Sequence, residues 1–506
     1  MSGGLYCRVI PTILGFLVYG FTAVAWPQGF PGGHRDALGP HFEPIPGIRQ
    51  SFKHPTPGML DSVRYWNQIA IDASGLDHTP VAPGEARVFG EQFGPARSSR
   101  AMAIVHIAIF EAVNAIAGGY GSYTGKVQAP KGTSMSAAIA QAGHDTLIAL
   151  FPSQAGTFDA LLAEDLNSIA NGQGKNDGID LGQKTARAIL GLRDNDGSEH
   201  DEPRLGVDFF TDPEPGKWRQ DPISQNPLAL GARWAEVKPF VMKAAGQFRV
   251  PTPPALDSRE YATAYREVKN LGGDGITTPT ARTNQQTSIG IYWAYDGTPS
   301  LCAPPRLYNQ IAVQIADQMG SDAVQTARLL ALVNISMADA AIAIWESKYY
   351  YEYWRPVTGI READAGTGPT GKGDGNPRTR GDPEFTPLGA PASNLNGPDF
   401  TPPFPAYPSG HAGFGGAVFQ TLRRFYGTDR IAFTFVSDEL NGVTVDSQGN
   451  VRPLMPRSFA SLSQAEEENG QSRIYLGIHW AFDKTQGIAQ GRRVADYVFD
   501  RVYRQN

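Results

Sequence analysis

The sequence predicts an all-α protein built as one large domain. Apolar residues recur at three- and four-residue spacings through twelve segments. Strand signals are few and short, and no internal repeat, low-complexity tract or sharp change of composition marks an independent unit. At 506 residues with 41% hydrophobic content, the chain can bury a large core.

Residues 1–25 read as a secretory signal peptide. Arg8 is the only charge, 9–24 is almost wholly apolar, and Ala23-Val24-Ala25 carries small residues at the cleavage spacing. Cleavage would leave residues 26–506 as a secreted or periplasmic chain with no stable membrane association. The alternative is an uncleaved anchor, since the stretch approaches the ~20 residues that span a bilayer. No later stretch reads as long and apolar enough to span one.

The first helical half, about residues 58–271, holds periodic segments at 59–71, 99–116, 134–150, 158–169, 179–192 and 257–271. The second, about 272–506, holds 280–295, 305–319, 323–351, 410–426, 461–476 and 483–504. Two stretches dense in Pro, Gly and Asp, 201–254 and 358–405, interrupt the helices. Loops of that length are usually functional or disordered, and the second is read as a pocket wall or lid. Asp446-Ser447-Gln448-Gly449-Asn450 is the one convincing hairpin signal.

A net charge of −6 and a pI near 5.9 argue against nucleic-acid binding, which needs a basic face, so any anion chemistry must be local. With Cys7 in the signal, Cys302 is the one remaining thiol, and no intrachain disulfide is available. Nothing near it pairs it with a base, so a small buried hydrophobe is its expected role.

Three segments carry the chemistry. In the first, Lys348 and Arg355 lie seven residues apart, about two helical turns, so both can point from one helix face before Pro356 ends the helix. A solvated stripe is the ordinary explanation of such a pair. Here Trp345, Tyr349, Tyr350, Tyr351, Tyr353 and Trp354 are too many rings for an exposed face, which directs the cations into a partly buried pocket.

The second segment, Pro408-Ser409-Gly410-His411 followed by small residues, has the form of a helix N-terminus. Ser409 can cap the first turn, Gly410 lets an oxyanion approach its N–H, and the dipole favours negative charge. His411 is placed to act as a general acid or base, or is a packed histidine. The third, Ser472-Arg473 to His479 and Asp483, adds a guanidinium, an imidazole and a carboxylate. Asp483 or a backbone carbonyl can hold Nδ1–H of His479 and leave Nε2 as ligand or nucleophile.

Together these segments resemble the three-part signature shared by vanadium haloperoxidases and the type 2 phosphatidic acid phosphatases, which include bacterial acid phosphatases. The pattern is Lys, six residues, Arg-Pro; then Pro-Ser-Gly-His; then Ser-Arg, five residues, His, three residues, Asp. The resemblance implies two four-helix bundles with the site in the C-terminal one. It implies vanadate as cofactor, with His479 as the sole protein ligand of vanadium, or as the phosphorylated nucleophile in a phosphatase. Lys348, Arg355, Ser409, the Gly410 N–H and Arg473 would hydrogen-bond the equatorial oxygens.

Residues 401–420 closely resemble the corresponding stretch of fungal vanadium chloroperoxidases, and the chain is about twice the size of a compact acid phosphatase. The haloperoxidase branch is therefore preferred, with acid phosphatase as the alternative. Upstream, 293–297 and 304–311 resemble family segments, and Asp296 is a candidate partner for Arg355 or Arg473. Trp345 and Phe404 would flank the halide approach, an aromatic at the latter position favouring chloroperoxidase-like scope. The implied partners are hydrogen peroxide, chloride or bromide, and a small organic acceptor. His411 would take the peroxide proton and Lys348 would polarise the bound peroxide. The sixty residues between His411 and Ser472 exceed a compact phosphatase, and a hairpin across 438–456 is expected to fill them.

Overall fold

The structure, a computed structural model, describes residues 1, 29–30, 32–46, 52, 56, 58 and 61–506. The signal segment, apart from Met1, lies outside the described residues. Helices dominate: α1 (His34–Leu38), α2 (Ser62–Asp77), α3 (Gly94–Ala117), α4 (Met135–Leu150), α5 (Ala155–Ser168), α6 (Gln173–Leu192) and α7 (Arg259–Leu271). The second half supplies α8 (Asn284–Tyr292), α9 (Pro304–Gln318), α10 (Ala323–Tyr351), α11 (Pro356–Arg361), α12 (Gly410–Tyr426), α13 (Leu462–Tyr475) and α14 (Ala481–Phe499).

Side chains set most of these starts. Asp61, Ser134, Ser258, Ser409 and Ser461 each accept a hydrogen bond from the first turn they precede. Thr283 and Asp322 form full capping boxes with Gln286 and Gln325.

One group of packed helices is α2, α3, α4 and α6; the other is α10, α12, α13 and α14. Helix α10 joins them by packing on α3 as well as on α12 and α14. The small residues after His411 allow α12 and α14 to meet closely: a Cβ at Gly487 would lie 2.7 Å from the Ser409 carbonyl, and one at Gly416 2.5 Å from that of Ile488.

Contrary to the sequence reading, α3 and α10 are long and apolar enough to cross a bilayer. Their most apolar windows are 83% and 94% buried by neighbouring helices, which is why their composition serves a core.

Pro356 does not end α10, as its position after Arg355 predicts, but begins α11. The preceding helix stops at Tyr351, where Glu352 adopts a left-handed conformation (φ 50°). The turn is diverted by pairing with the first long loop: Trp218 N–H donates to Glu352 O (2.6 Å) and Trp354 N–H to Gly216 O (2.9 Å). Proline, lacking an N–H, then suits the first turn of the next helix. Arg355 is therefore not on the helix that carries Lys348. Of the ring cluster, Trp345, Tyr353 and Trp354 are buried, whereas Tyr350 is exposed beneath the Arg249 guanidinium.

The helix read across 280–295 is shorter, ending at Tyr292, so Ala294–Asp296 is irregular backbone. The hairpin at 446–450 is present as a bridge between Val445 and Val451. Around it lies an antiparallel pair the sequence did not signal, β3 (Phe433–Phe435) with β4 (Arg457–Phe459), while β1 (Glu43–Pro44) pairs with β2 (Leu395–Asn396). Cys302 is buried as expected, but it does have partners. Its Sγ lies 2.9 Å from Ser74 Oγ. Against the effect of burial, it and Asp77 raise the pKa of His78 to about 9, and His78 lowers that of the thiol.

Candidate active site

Five element ends meet at one place. Lys348 is on the last turn of α10, Arg355 caps α11, and Ser409, Gly410 and His411 begin α12. Arg473 is on the last turn of α13, and His479 precedes α14, whose first turn holds Asp483. Asp296 comes from the irregular segment after α8. Lys348 is 0% exposed and Arg355 and Arg473 are each 1% exposed, so all three cations are inside the protein.

Backbone carbonyls of the second long loop hold two of them. Lys348 Nζ donates to Pro405 O (2.7 Å) and Ala406 O (3.1 Å). Arg355 donates from Nε to Phe404 O and from Nη1 to Ile478 O, both at 2.9 Å, and from Nη2 to Pro402 O at 3.3 Å. The Phe404 ring lies 5.0 Å from each cation, so the loop read as a pocket wall also supplies a cation–π face. Among the described residues, neither cation has a carboxylate within ion-pair distance.

His479 is oriented at both nitrogens. Nδ1 donates to Asp483 Oδ2 at 2.8 Å, which resolves the choice left between that carboxylate and a carbonyl. Nε2 then carries the lone pair and accepts from Arg355 Nη1 at 2.9 Å. Asp483 Oδ2 also accepts from the Trp480 N–H (2.9 Å), fixing the ring to the start of α14. Burial, with Arg355 and Lys348 nearby, holds the imidazole well below its ordinary pKa and hence neutral.

His411 donates from Nε2 to the Ala294 carbonyl and lies 4.0 Å from Asp296 Oδ1. Burial first, then Arg473, keep this ring neutral too, leaving Nδ1 as its basic atom. Asp296 pairs with Arg473 and not with Arg355: Nη2 donates to Oδ1 at 2.7 Å. Among the described residues, the Nε and Nη1 groups of Arg473 have no partner.

Burial dominates the titration of the group. It pushes the pKa of Lys348 far down and, with Arg473 adding to it, that of Arg355 down to about 9. The Asp483 carboxyl rises to about 7 from the same cause, despite the Trp480 N–H and the cations. Three cations sharing an interior with two neighbouring carboxylates form a site short of negative charge.

The residues fit an oxyanion. Arg473 has two buried donors without acceptors. A Cβ at Gly410 would meet only the Trp345 ring, at 3.4 Å, so packing by itself does not demand glycine there. The N-terminus of α12 faces the same space, a cavity with largely apolar walls. Gly410, His411, Arg473 and His479 line its floor; Trp345 and Phe404, the predicted flanking rings, stand in its wall at 5.0 Å from each other.

A family model described as the VCPO second helical-bundle domain matches residues 328–506. Vanadium chloroperoxidase of Curvularia inaequalis is 31% identical to this chain, over 87% of this chain and 81% of that protein. The chain belongs to the vanadium haloperoxidase family. Solved haloperoxidases share the fold. A bacterial vanadium-dependent iodoperoxidase superposes with a TM-score of 0.68 at 23% identity, covering 91% of this chain and 100% of that one. A holo-type bacterial vanadium-dependent chloroperoxidase gives 0.60 at 16% identity, covering 83% and 93%.

Not every part of this candidate site carried a signal in the side-chain sequence. The Ala294 carbonyl and those of 402–406 are backbone groups, invisible to residue typing. Leu38, Phe93 and Leu230 reach the cavity from the first half of the chain, where no motif points to them. Asp221 holds the loop just before those carbonyls, its Oδ2 accepting from the Thr401 N–H at 3.1 Å.

Proposed function

We propose that this chain is a vanadate-dependent haloperoxidase that oxidises chloride or bromide with hydrogen peroxide to hypohalous acid, which halogenates a small organic acceptor. The observation that carries the reading is the convergence of a neutral, oriented His479 Nε2 with three buried cations, one of which has two donors to spare. Bound there, pentavalent vanadium would act as a Lewis acid that activates peroxide for two-electron attack by halide.

His479 Nε2 would be the ligand, and Lys348, Arg355, Arg473, Ser409 Oγ and the Gly410 N–H would hold the oxygens. Because these donors are fixed by loop carbonyls and helix ends, they need little reorganisation when charge builds. His411 Nδ1 would take the peroxide proton, its neutral form being secured by burial. Trp345 and Phe404 would line the halide approach and keep water from it. Chloride or bromide as the halide is supported by Phe404 and by the chloroperoxidase relative. Export to the periplasm or medium is proposed on the sequence of residues 1–25.

The test is halogenation of a chlorinatable phenol with peroxide and chloride or bromide, before and after vanadate is added to metal-stripped protein. Vanadate-dependent turnover is expected. Phosphate-ester hydrolysis inhibited by vanadate, with no halogenation by any halide, would place the chain on the phosphatase branch instead.

A further inference from the structure

The segment Ala294–Asp296 contributes two groups to the site, the carbonyl bonded to His411 and the carboxylate bonded to Arg473. It belongs to no helix or strand, and Tyr295 at its centre has φ 46°, a left-handed conformation unfavourable for a bulky side chain. Something outside the segment must hold it.

What holds it is the short helical turn Asp438–Leu440, at the start of the stretch that lengthens the interval between His411 and Ser472. The Tyr295 N–H donates to Glu439 Oε1 at 3.2 Å. The Asp438 N–H donates to the Tyr295 hydroxyl at 2.6 Å, and Ser437 Oγ donates to the Tyr292 carbonyl at 2.6 Å. Glu439 is itself fixed: its side chain is fully buried, Oε2 accepts from Ser393 Oγ at 2.6 Å, and Arg452 Nη1 donates to the same oxygen. A buried carboxylate with a buried guanidinium beside it is an expensive way to anchor one amide, unless the position of that amide matters.

We propose that Glu439 is a positioning residue for the reaction, fixing Tyr295 through its N–H and thereby aligning His411 and Arg473. The kinetic part of this inference rests on the haloperoxidase reading above; the structural part does not. Glu439→Asp tests it, because the charge facing Arg452 is kept while the acceptor withdraws from the Tyr295 N–H by about 1.5 Å, one carbon–carbon bond. Misplacement of catalytic groups by about 1 Å can cost up to about 100-fold in rate.

Turnover is expected to fall about tenfold or more, while the vanadate Kd rises by no more than about tenfold, since Arg473 shifts but Lys348, Arg355 and His479 stand on other elements. In vanadate-free protein, the imidazole ¹⁵N resonances of His411 should move while those of His106, buried on α3, stay. Glu439→Gln/Arg452→Met removes the ion pair symmetrically but leaves an amide oxygen for the Tyr295 N–H, and should restore both readouts. Wild-type turnover with unmoved His411 resonances in Glu439→Asp, or failure of the double variant to restore them, would overturn the proposal. Ester hydrolysis in place of halide oxidation would overturn the haloperoxidase reading and leave the resonance test standing.

Discussion

Replacing Asp483 separates orientation from charge at the proposed ligand. Its Oδ2 accepts from His479 Nδ1 at 2.8 Å and from the Trp480 N–H at 2.9 Å, while Oδ1 is buried without a partner. Asp483→Ala removes both bonds. The imidazole then loses the group that fixes its tautomer and ring plane, an effect that typically weakens metal binding 10–100-fold, or about 1.4–2.8 kcal/mol. Loss of the cap on α14 should cost a further ~1 kcal/mol of stability. Asp483→Asn can place its amide oxygen at the Oδ2 position and keep both bonds, so it should weaken vanadate binding at most about tenfold. The assay is vanadate titration of metal-stripped protein by calorimetry at pH 8, above the value of about 7 to which burial lifts the carboxyl, with thermal melts in parallel. The expected order of affinity is wild type, Asn, Ala. If Asn binds as weakly as Ala while melting like wild type, charge and not the hydrogen bond does the work, and the orientation argument fails.

His479→Ala should abolish vanadate retention, whereas His411→Ala should spare it and slow peroxide activation; equilibrium dialysis alongside turnover would expose the reverse pattern. Arg473→Lys cannot serve Asp296 and also present two further planar donors, so its vanadate Kd should rise about tenfold, ~1.4 kcal/mol, and an unchanged Kd would remove Arg473 from the cage. His106 is fully buried on α3 with neither ring nitrogen bonded among the described residues, and burial lowers its pKa to about 3. The stability this neutral ring allows is complete above its unfolded pKa of ~6.5 and is lost as pH falls toward 3, reaching about 2 kcal/mol at pH 5. His106→Phe should therefore raise the melting temperature relative to wild type more at pH 5 than at pH 8; a difference independent of pH would contradict the assignment.

The parts of the site legible in the sequence were those written in local side-chain chemistry. Ser409 at a helix start, the small residues behind it, and the i,i+4 pair His479–Asp483 each follow from spacing and from what those side chains can bond. The long-range parts were not legible. Arg355 looked like a helix residue because Lys348 and Arg355 have helical spacing, yet the left-handed turn at Glu352 is set by pairing with Gly216 and Trp218, more than 130 positions away. The buttress at Glu439 likewise depends on a fold that brings it to Tyr295. The carbonyls that hold Lys348 and Arg355 belong to Pro402, Phe404, Pro405, Ala406 and Ile478, and a carbonyl has no residue type to read.

The local and global electrostatics of this chain oppose each other, and the opposition explains how an acidic protein can serve anions. A net charge of −6 repels halide at long range, but at physiological ionic strength that field decays over about 8 Å. Arg473 lines a cavity with Trp345, Phe404 and Leu230, Lys348 and Arg355 are buried against the Phe404 ring, and screening is weak in such an interior. An anion entering that wall exchanges a weak outer repulsion for a strong inner attraction. Carbonyls from a distant loop accept the hydrogen bonds of Lys348 and Arg355 without adding negative charge, while burial works against the charged form of both. A carboxylate in place of those carbonyls would have satisfied Lys348 and Arg355 equally well, and would have cancelled the field that the proposed chemistry uses.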